Sequence, residues 1–172
     1  MLKRTGGQLI YNKLLQHKVK DAFIFSGGSV MSIIDPFYKG EINYYVNNHE
    51  QNCGHAATGY AKLSGKPGIC LVTSGPGITN MITPMLDATN DSTPLIVISG
   101  QVPKHAVGTN AFQEAPAVDL SKNVTKWSHQ IKSIDEIGNV LDHAFYIAQN
   151  GKKGSVHIDV PKCISSDITD KD

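Results

Sequence analysis

The chain has 172 residues, the usual length of a single domain. It carries 16 Lys and Arg against 15 Asp and Glu, so its formal charge of +1 lacks the basic excess that drives nonspecific nucleic-acid binding. Hydrophobic residues make up 40% and charged residues 18%, which is too apolar for a disordered protein. No apolar run is long enough to cross a bilayer, and the start MLKRTGGQ does not resemble a signal peptide. We therefore expect a folded cytoplasmic domain that binds neither nucleic acid nor membrane.

The first predicted elements alternate between helix and strand. Thr5 and Gln8 form a T-x-x-Q capping box that predicts the start of a helix. Next come a strand at 22–25, a short helix from residue 29 that ends at Asp35 and Pro36, and a strand at 43–46.

The rest of the chain continues the alternation. The pattern predicts a helix at 50–63, strands at 68–73 and 94–99, and a helix at 78–90 that Pro84 could kink. Residues 100–116 read as irregular. A second capping box at 133–136 opens an amphipathic helix, a strand follows at 155–160, and the polar tail 165–172 is expected to fray.

Strands of nearly continuous Val, Ile and Leu that alternate with helices are typical of a parallel sheet buried on both faces. The sequence therefore predicts an α/β fold. We expect a three-layer open sheet, mostly parallel, with about six strands and helices on both faces.

The three cysteines, Cys53, Cys70 and Cys163, are far apart and form no CxxC or Cys/His ligand pattern. We interpret them as reduced, small hydrophobic side chains in a reducing compartment, and we predict no metal site.

Ligands of open α/β sheets bind at the carboxyl ends of the strands. Small, polar and glycine residues follow the predicted strands there, among them Gly27, Gly28, Glu50 and the SGPG turn at 74–77. The SGPG turn is a weak phosphate-loop candidate because it lacks the spacing and the lysine of known phosphate loops. Glu50 has two interpretations. It is either an acidic residue that the helix dipole stabilises in the first turn of a helix, or a carboxylate placed at the ligand edge for proton transfer.

The segments HEQ, GHAA-GYA, GKPG-CLVTSGPG-TN, PLIVISGQVP and GT-AFQEA occur in this order. Together they resemble the N-terminal, pyrimidine-binding domain of thiamine-diphosphate enzymes, nearest to the acetolactate (acetohydroxyacid) synthase branch. The similarity runs from about residue 21 to 161. It implies the thiamine-diphosphate-binding fold, which is flavodoxin-like, with the domain over 1–162 and a polar tail over 163–172 that starts a linker.

The resemblance implies a catalytic role for Glu50. In the family, a Glu at this position hydrogen-bonds N1′ of the cofactor's aminopyrimidine, which makes the 4′ nitrogen basic enough to take the proton from thiazolium C2. The cofactor then acts as the electron sink for 2-keto acid chemistry. A Gln at this position would keep a hydrogen bond but could not exchange the proton.

The resemblance also assigns roles to other positions. It implies cofactor contacts for Gly27, Gly28, Thr73, Pro76, Asn80 and Gln113. It implies substrate contacts for Phe112, Gln113 and Lys126.

Some features depart from the family pattern. Ser26 stands where the family usually has Pro, and Asn110 where it has Asp. The Gly-Asp-Gly mark of the domain that binds diphosphate and Mg²⁺ does not occur in these residues. The resemblance thus implies a diphosphate-binding domain on the same or a second chain, a homodimer, FAD as a further cofactor of a longer protein, and inactivity of these residues alone.

Alternative functions remain open at this point. The same motifs occur in related 2-keto acid decarboxylases and oxidases. A non-catalytic module that kept the fold is a second alternative, although it would not need the Glu50 carboxylate. A nucleotide-binding flavodoxin-like module is the third.

Overall fold

The computed structural model describes residues 3–170 and contains a six-stranded parallel sheet, which confirms the predicted fold class. The strands of the main sheet are β2 (Asp21–Ile24), β3 (Asn43–Val46), β4 (Gly68–Val72), β5 (Leu95–Gln101), β6 (Trp127–Gln130) and β7 (Ser155–Pro161). Their order is β3-β2-β4-β5-β7-β6. The order reverses between β2 and β4, and the crevice outside such a switch point is where open α/β sheets bind ligands.

Helices cover both faces of the sheet. They are α1 (Gly6–Gln16), α2 (Met31–Ile34), α3 (Glu50–Ser64), α4 (Pro76–Thr79), α5 (Ile82–Asn90), α6 (Ala117–Ser121), α7 (Ile137–Gln149) and α8 (Lys162–Ser166), with short 3₁₀ turns at Asp35–Phe37, Lys104–Ala106 and Ile134–Glu136.

Two hydrophobic cores follow from the alternation of side chains along each strand. In β4, Ile69 and Leu71 point into the core that contains α1 and α7, whereas Cys70 and Val72 point into the core that contains α3 and α5. The central strands are therefore buried on both faces, as their continuous apolar sequences predict.

Most predicted helices are present, with one difference in the middle of the chain. Thr5 caps α1 through the predicted capping box. The predicted helix at 78–90 instead consists of α4 and α5, which are separated at Asn80 and Met81. Pro84, in the first turn of α5, lacks the N–H that would bond to the Asn80 carbonyl four residues earlier, and its ring disfavours a helix that continues through that residue, so the interruption lies where the predicted kink would act.

The prediction of a frayed tail was wrong for the residues that the structure describes. Residues 162–166 form α8, in which Ile164 and Ser165 are buried. After α8, β8 (Ile168–Thr169) pairs antiparallel with β1 (Arg4–Thr5) in a small second sheet. Packing and strand pairing hold this segment although its composition is polar.

Strand β6 was also missed by the sequence analysis. Its sequence, WSHQ, is polar, and it forms an edge of the sheet beside β7. Its polar side chains bond to neighbours on other elements: Ser128 accepts from Ser121 at 2.9 Å, and Gln130 donates to Asp159 at 2.8 Å. Tertiary contacts stabilise this strand, and no local hydrophobic pattern marks it.

Candidate functional site

The loops that follow β2, β3, β4 and β5 gather at one side of the sheet, which we call the carboxyl edge (residues 25–30, 47–50, 73–77 and 102–115). At the switch point, the loop after β2 packs closely on the loop after β4. A Cβ added at Gly27 would lie 2.4 Å from Thr73 Cβ, so only glycine fits there. A Cβ at Gly28 would meet no heavy atom within 4 Å, so this backbone faces open space.

Glu50 lies at this edge as the first residue of α3, and it is 7% exposed. Its Oε2 accepts a hydrogen bond of 2.9 Å from Asn80 Nδ2, at the end of α4. The preceding His49 turns away, since its Nδ1 accepts from the Gln51 backbone N–H at 3.1 Å and caps α3. Glu50 thus sits in the first turn of a helix and also turns its carboxylate toward the carboxyl edge.

The turn after β4 supplies the wall opposite Glu50. Gly75 has φ +56°, which favours glycine, and Pro76 then starts α4. A Cβ at Gly77 would lie 2.8 Å from Thr73 Cγ2 and 3.7 Å from Glu50 Oε1. Gly77 therefore lets the turn lie close to both Thr73 and the Glu50 carboxylate, where a side chain would clash with the Thr73 methyl group.

Ser29 is a residue of this edge that the sequence analysis missed. Its hydroxyl bonds to Thr73 Oγ1 at 3.0 Å and Ser74 Oγ at 3.1 Å, and it accepts from the Ser74 backbone N–H at 2.9 Å. It thereby ties the loop after β2 to the turn after β4. A single serine after two glycines carries no sequence signal for such a contact, because the partners lie 44 and 45 residues away.

Phe112 and Gln113 lie in the loop after β5. The side chain of Phe112 is 88% exposed. The backbone of Gln113 packs over the turn after β4, since a Cβ at Gly75 would lie 2.7 Å from the Gln113 carbonyl oxygen. Both residues therefore belong to the carboxyl edge, as the resemblance implies for them.

Lys126 does not join them. It precedes β6, at the amino-terminal end of the strands, where its Nζ donates to the carbonyl oxygens of Ile147 and, at 2.7 Å, Asn150. These carbonyls end α7, so the ammonium caps that helix and favours its dipole. In this domain the Lys126 ammonium thus lies away from the carboxyl edge, and the substrate role that the resemblance implies for it stays a prediction.

The cysteines have no reactive surroundings in the described chain. Cys53 and Cys70 are buried, and Cys163 is exposed. Burial, and then the nearby Glu50 carboxylate, raises the pKa of Cys53 to about 11, so its thiol stays protonated. Within residues 3–170, no group of three or more His, Cys, Asp or Glu side chains could hold a metal ion. No helix in that range has the length and apolar character needed to cross a membrane.

Comparison with known proteins adds to this geometry. The sequence profile described as "Thiamine pyrophosphate enzyme, N-terminal TPP binding domain" matches residues 4–122. The chain belongs to this family.

Relatives of this thiamine-pyrophosphate-binding domain include several synthases. Over 165 residues, 95% of this chain, it is 44% identical to the acetolactate synthase catalytic subunit, mitochondrial, of Saccharomyces cerevisiae. It is 42% identical over 96% of the chain to the mitochondrial acetolactate synthase of Schizosaccharomyces pombe, and 43% identical over 92% to the acetolactate synthase of Mycobacterium leprae. The chain spans only 24–25% of the length of these relatives.

The residues of the carboxyl edge fit the pyrimidine part of thiamine diphosphate. Gly28 presents backbone to open space, while Gly27 and Gly77 allow their loops to lie closely against Thr73 beside Glu50. A carboxylate and an amide, Glu50 and Asn80, supply the polar groups that an aminopyrimidine would meet. The four-residue α4 behind Gly75 offers no phosphate site of its own.

Proposed function

We propose that this domain supplies the pyrimidine half of a thiamine-diphosphate site in an acetolactate synthase-like carboligase. The observation that carries the proposal is the Glu50 carboxylate, which is 7% exposed, hydrogen-bonded to Asn80 and placed beside a glycine-lined wall at the carboxyl edge. The acetolactate synthase names of the relatives support this branch over a decarboxylase or an oxidase.

Glu50 is the proposed catalytic residue. Its carboxylate would hold the proton at pyrimidine N1′, while the Asn80 amide fixes its orientation through the 2.9 Å bond to Oε2. The bound cofactor supplies the electron sink for decarboxylation of one 2-keto acid and its condensation with a second. Because Glu50 is buried, a proton that it shares with the bound pyrimidine would be shielded from bulk water.

Other residues of the edge would bind and orient. Gly27, Thr73 and Pro76 would form the wall of the pyrimidine site, and the open face of Gly28 would admit the cofactor. Phe112 and Gln113 would face the substrate side of the cofactor, because their loop lies over the turn after β4.

A second domain is part of the proposal. A diphosphate-binding domain, on the same or a second chain, would hold the diphosphate and Mg²⁺, and FAD would bind elsewhere in a longer protein. Exposed apolar side chains next to the carboxyl edge support such a partner and a homodimer: Val46, which ends β3, is 68% exposed, and Met31, which begins α2, is 50% exposed. We expect residues 1–172 alone to be inactive, and a strict monomer in sedimentation equilibrium would argue against the dimer.

A cytoplasmic location is the last part of the proposal. Three free cysteines fit a reducing compartment. Some relatives are named as mitochondrial. Imaging of the tagged complete gene product would distinguish the two locations.

Nuclear magnetic resonance tests cofactor binding on the chain itself. Thiamine diphosphate should shift the amide signals of Gly27, Gly28, Glu50 and Gly77 in a labelled sample, even with weak millimolar binding, while β6 and α8 stay unchanged. Shifts confined to other surfaces, or no shifts at millimolar cofactor, would overturn the proposed site.

Activity is tested in a fusion synthase, in which this chain replaces the matching 165 residues of the Saccharomyces cerevisiae synthase subunit. Acetolactate formation from pyruvate is the expected result. A fusion that folds, assembles and binds thiamine diphosphate, yet forms no acetolactate, would refute the proposed reaction.

A further inference from the structure

The loop between β5 and α6 is closed at its base by one side chain. Gln101 Oε1 accepts from the Val102 backbone N–H at 2.9 Å, and Gln101 Nε2 donates to the Ala115 carbonyl at 3.0 Å. Gln101 is itself buried, with its amide also donating to Asp159 at 3.2 Å. Residues 102–115, which we call the edge loop, are therefore a compact surface loop whose two ends are held together.

Within the edge loop, Glu114 is the internal anchor. Its Oε2 accepts from the Ala111 backbone N–H at 3.1 Å, and its Oε1 accepts from the Gly108 backbone N–H. The hydrogen bond from the Gly108 backbone N–H is the main reason that the pKa of Glu114 lies below its usual value. Partial burial raises this pKa, and the bonds from other nearby backbone amides lower it further. The carboxylate thus bridges both sides of Asn110, which has a φ of 57°.

The conformation that Glu114 holds is one that the backbone disfavours. Asn110 and Gln113 both have φ 57°, in the left-handed region that non-glycine residues rarely adopt. Phe112, between them, is 88% exposed, so packing of its own side chain cannot fix it in this domain. The position of Phe112 is therefore set by the backbone around it.

We propose that Glu114 is a positioning residue, whose carboxylate holds the edge loop so that Phe112 and Gln113 are presented to the substrate at the carboxyl edge. This inference rests on the proposed function, in which these two residues face the 2-keto acid. It adds a requirement that the resemblance does not state: the loop must be ordered before the substrate arrives. Preorganisation of this kind matters because small misplacements of contacting groups slow a reaction strongly.

The first test uses the chain itself. Glu114→Gln keeps the size of the side chain but replaces one acceptor oxygen with an NH₂ donor. We expect the amide protons of Gly108 and Ala111 to exchange with solvent at least about tenfold faster, with thermal stability unchanged. Glu41→Gln, which removes the same charge from an exposed site before β3, is the matched control and should change neither amide. Unchanged exchange in Glu114→Gln would overturn the anchoring role.

The second test uses the fusion synthase. In Glu114→Gln, kcat/KM for the 2-keto acid should fall about tenfold to a hundredfold, while the Kd of thiamine diphosphate stays as in the parent. In Glu114→Asp, which keeps the charge, part of this loss should be recovered. An active parent with undiminished kcat/KM in Glu114→Gln would refute the positioning role and leave the proposed function intact. An inactive parent that has folded and assembled would instead refute the proposed function.

Discussion

Two buried carboxylates, Glu50 and Asp159, lie in different surroundings. Asp159 is fully buried in β7 and accepts three side-chain hydrogen bonds, from Ser99 at 2.7 Å, Gln101 at 3.2 Å and Gln130 at 2.8 Å. Glu50 is 7% exposed, and among residues 3–170 its side-chain partner is Asn80. A carboxylate has about four acceptor sites, so Asp159 has used most of its capacity and Glu50 has not.

This difference separates a structural carboxylate from a candidate catalytic one. The donors to Asp159 come from β5 and β6, so its bonds tie three strands of the sheet together. Glu50 lies at the switch point, and among residues 3–170 only one side-chain hydrogen bond, from Asn80, fills its acceptor positions, so a ligand at the carboxyl edge can complete its hydrogen bonding. Burial is therefore common to both carboxylates, and free acceptor capacity at the carboxyl edge is what distinguishes the proposed catalytic one.

The largest expected effect comes from Glu50→Gln. In the fusion synthase, carboligation should fall by about 10²–10⁴-fold, because Gln can bond to Asn80 but cannot exchange a proton. The free energy of unfolding of residues 1–172 should change little, since the amide has nearly the same size. Urea denaturation and acetolactate assays measure the two effects. Retained carboligation in this variant would show that Glu50 is not the catalytic residue, and the proposed functional difference between Glu50 and Asp159 would then be wrong.

The opposite outcome is expected for Asp159→Ala. Removing this carboxylate leaves buried donors of Ser99, Gln101 and Gln130 without their acceptor, so the free energy of unfolding should fall by about 3 kcal/mol. Asp119→Ala, at an exposed surface ion pair with Lys122, is the control and should have a much smaller effect. If Asp159→Ala were as stable as the control, the bonds around Asp159 would not be structural.

The fold was largely predictable because its signals are local. The stripe Ile137, Val140, Leu141 and Ala144 in α7 is buried as the helical spacing predicts. The apolar runs of β4 and β5 likewise gave strands in the predicted places. Strand β6 and helix α8 were missed because contacts with distant residues, such as the Gln130 bond to Asp159, stabilise them.

The site was predictable only in part. The resemblance picked out Glu50, Thr73 and Asn80, and the structure brings these residues together at the carboxyl edge, while their roles stay predictions. Ser29 and Glu114 were assigned no role, although Glu114 lies in the GT-AFQEA segment, because their hydrogen bonds to other parts of the backbone and to distant residues appear only in the structure. The resemblance also assigns Lys126 to the substrate, whereas its ammonium lies at the other end of the strands in this domain, so that role stays a prediction too.

A further effect should appear in the pH dependence of stability. His157 is fully buried between Ser99 and Ser121, and burial lowers its pKa to about 3 from an ordinary 6.5. Below pH 6.5 His157 binds a proton in the unfolded chain but stays neutral in the native state. Acidification from pH 6.5 toward pH 3 therefore lowers the free energy of unfolding. The loss approaches about 1.4 kcal/mol per pH unit.

The variant His157→Gln isolates this contribution. Burial raises the pKa of Asp159, so on acidification the Asp159 carboxylate is protonated in the native state before it is protonated in the unfolded chain. Asp159 thus raises the free energy of unfolding as the pH falls, which is opposite to the effect of His157. Both proteins keep Asp159, and the difference between their unfolding free energies across pH 4–7 therefore reports His157. Wild type should lose stability more steeply than His157→Gln. Parallel curves would mean that His157 accepts a proton inside the fold.

The smallest effect is expected for Lys126→Met. Because the Lys126 ammonium caps the end of α7 at the amino-terminal end of the strands, its loss should lower the free energy of unfolding by no more than about 1 kcal/mol. Met keeps an unbranched apolar stem, so the packing against Gly154 is preserved. In the fusion synthase, kcat/KM for the 2-keto acid should stay unchanged, in contrast to Glu50→Gln. A tenfold loss there, with α7 still stable, would mean that Lys126 leaves its helix cap in the assembled enzyme and reaches substrate after all.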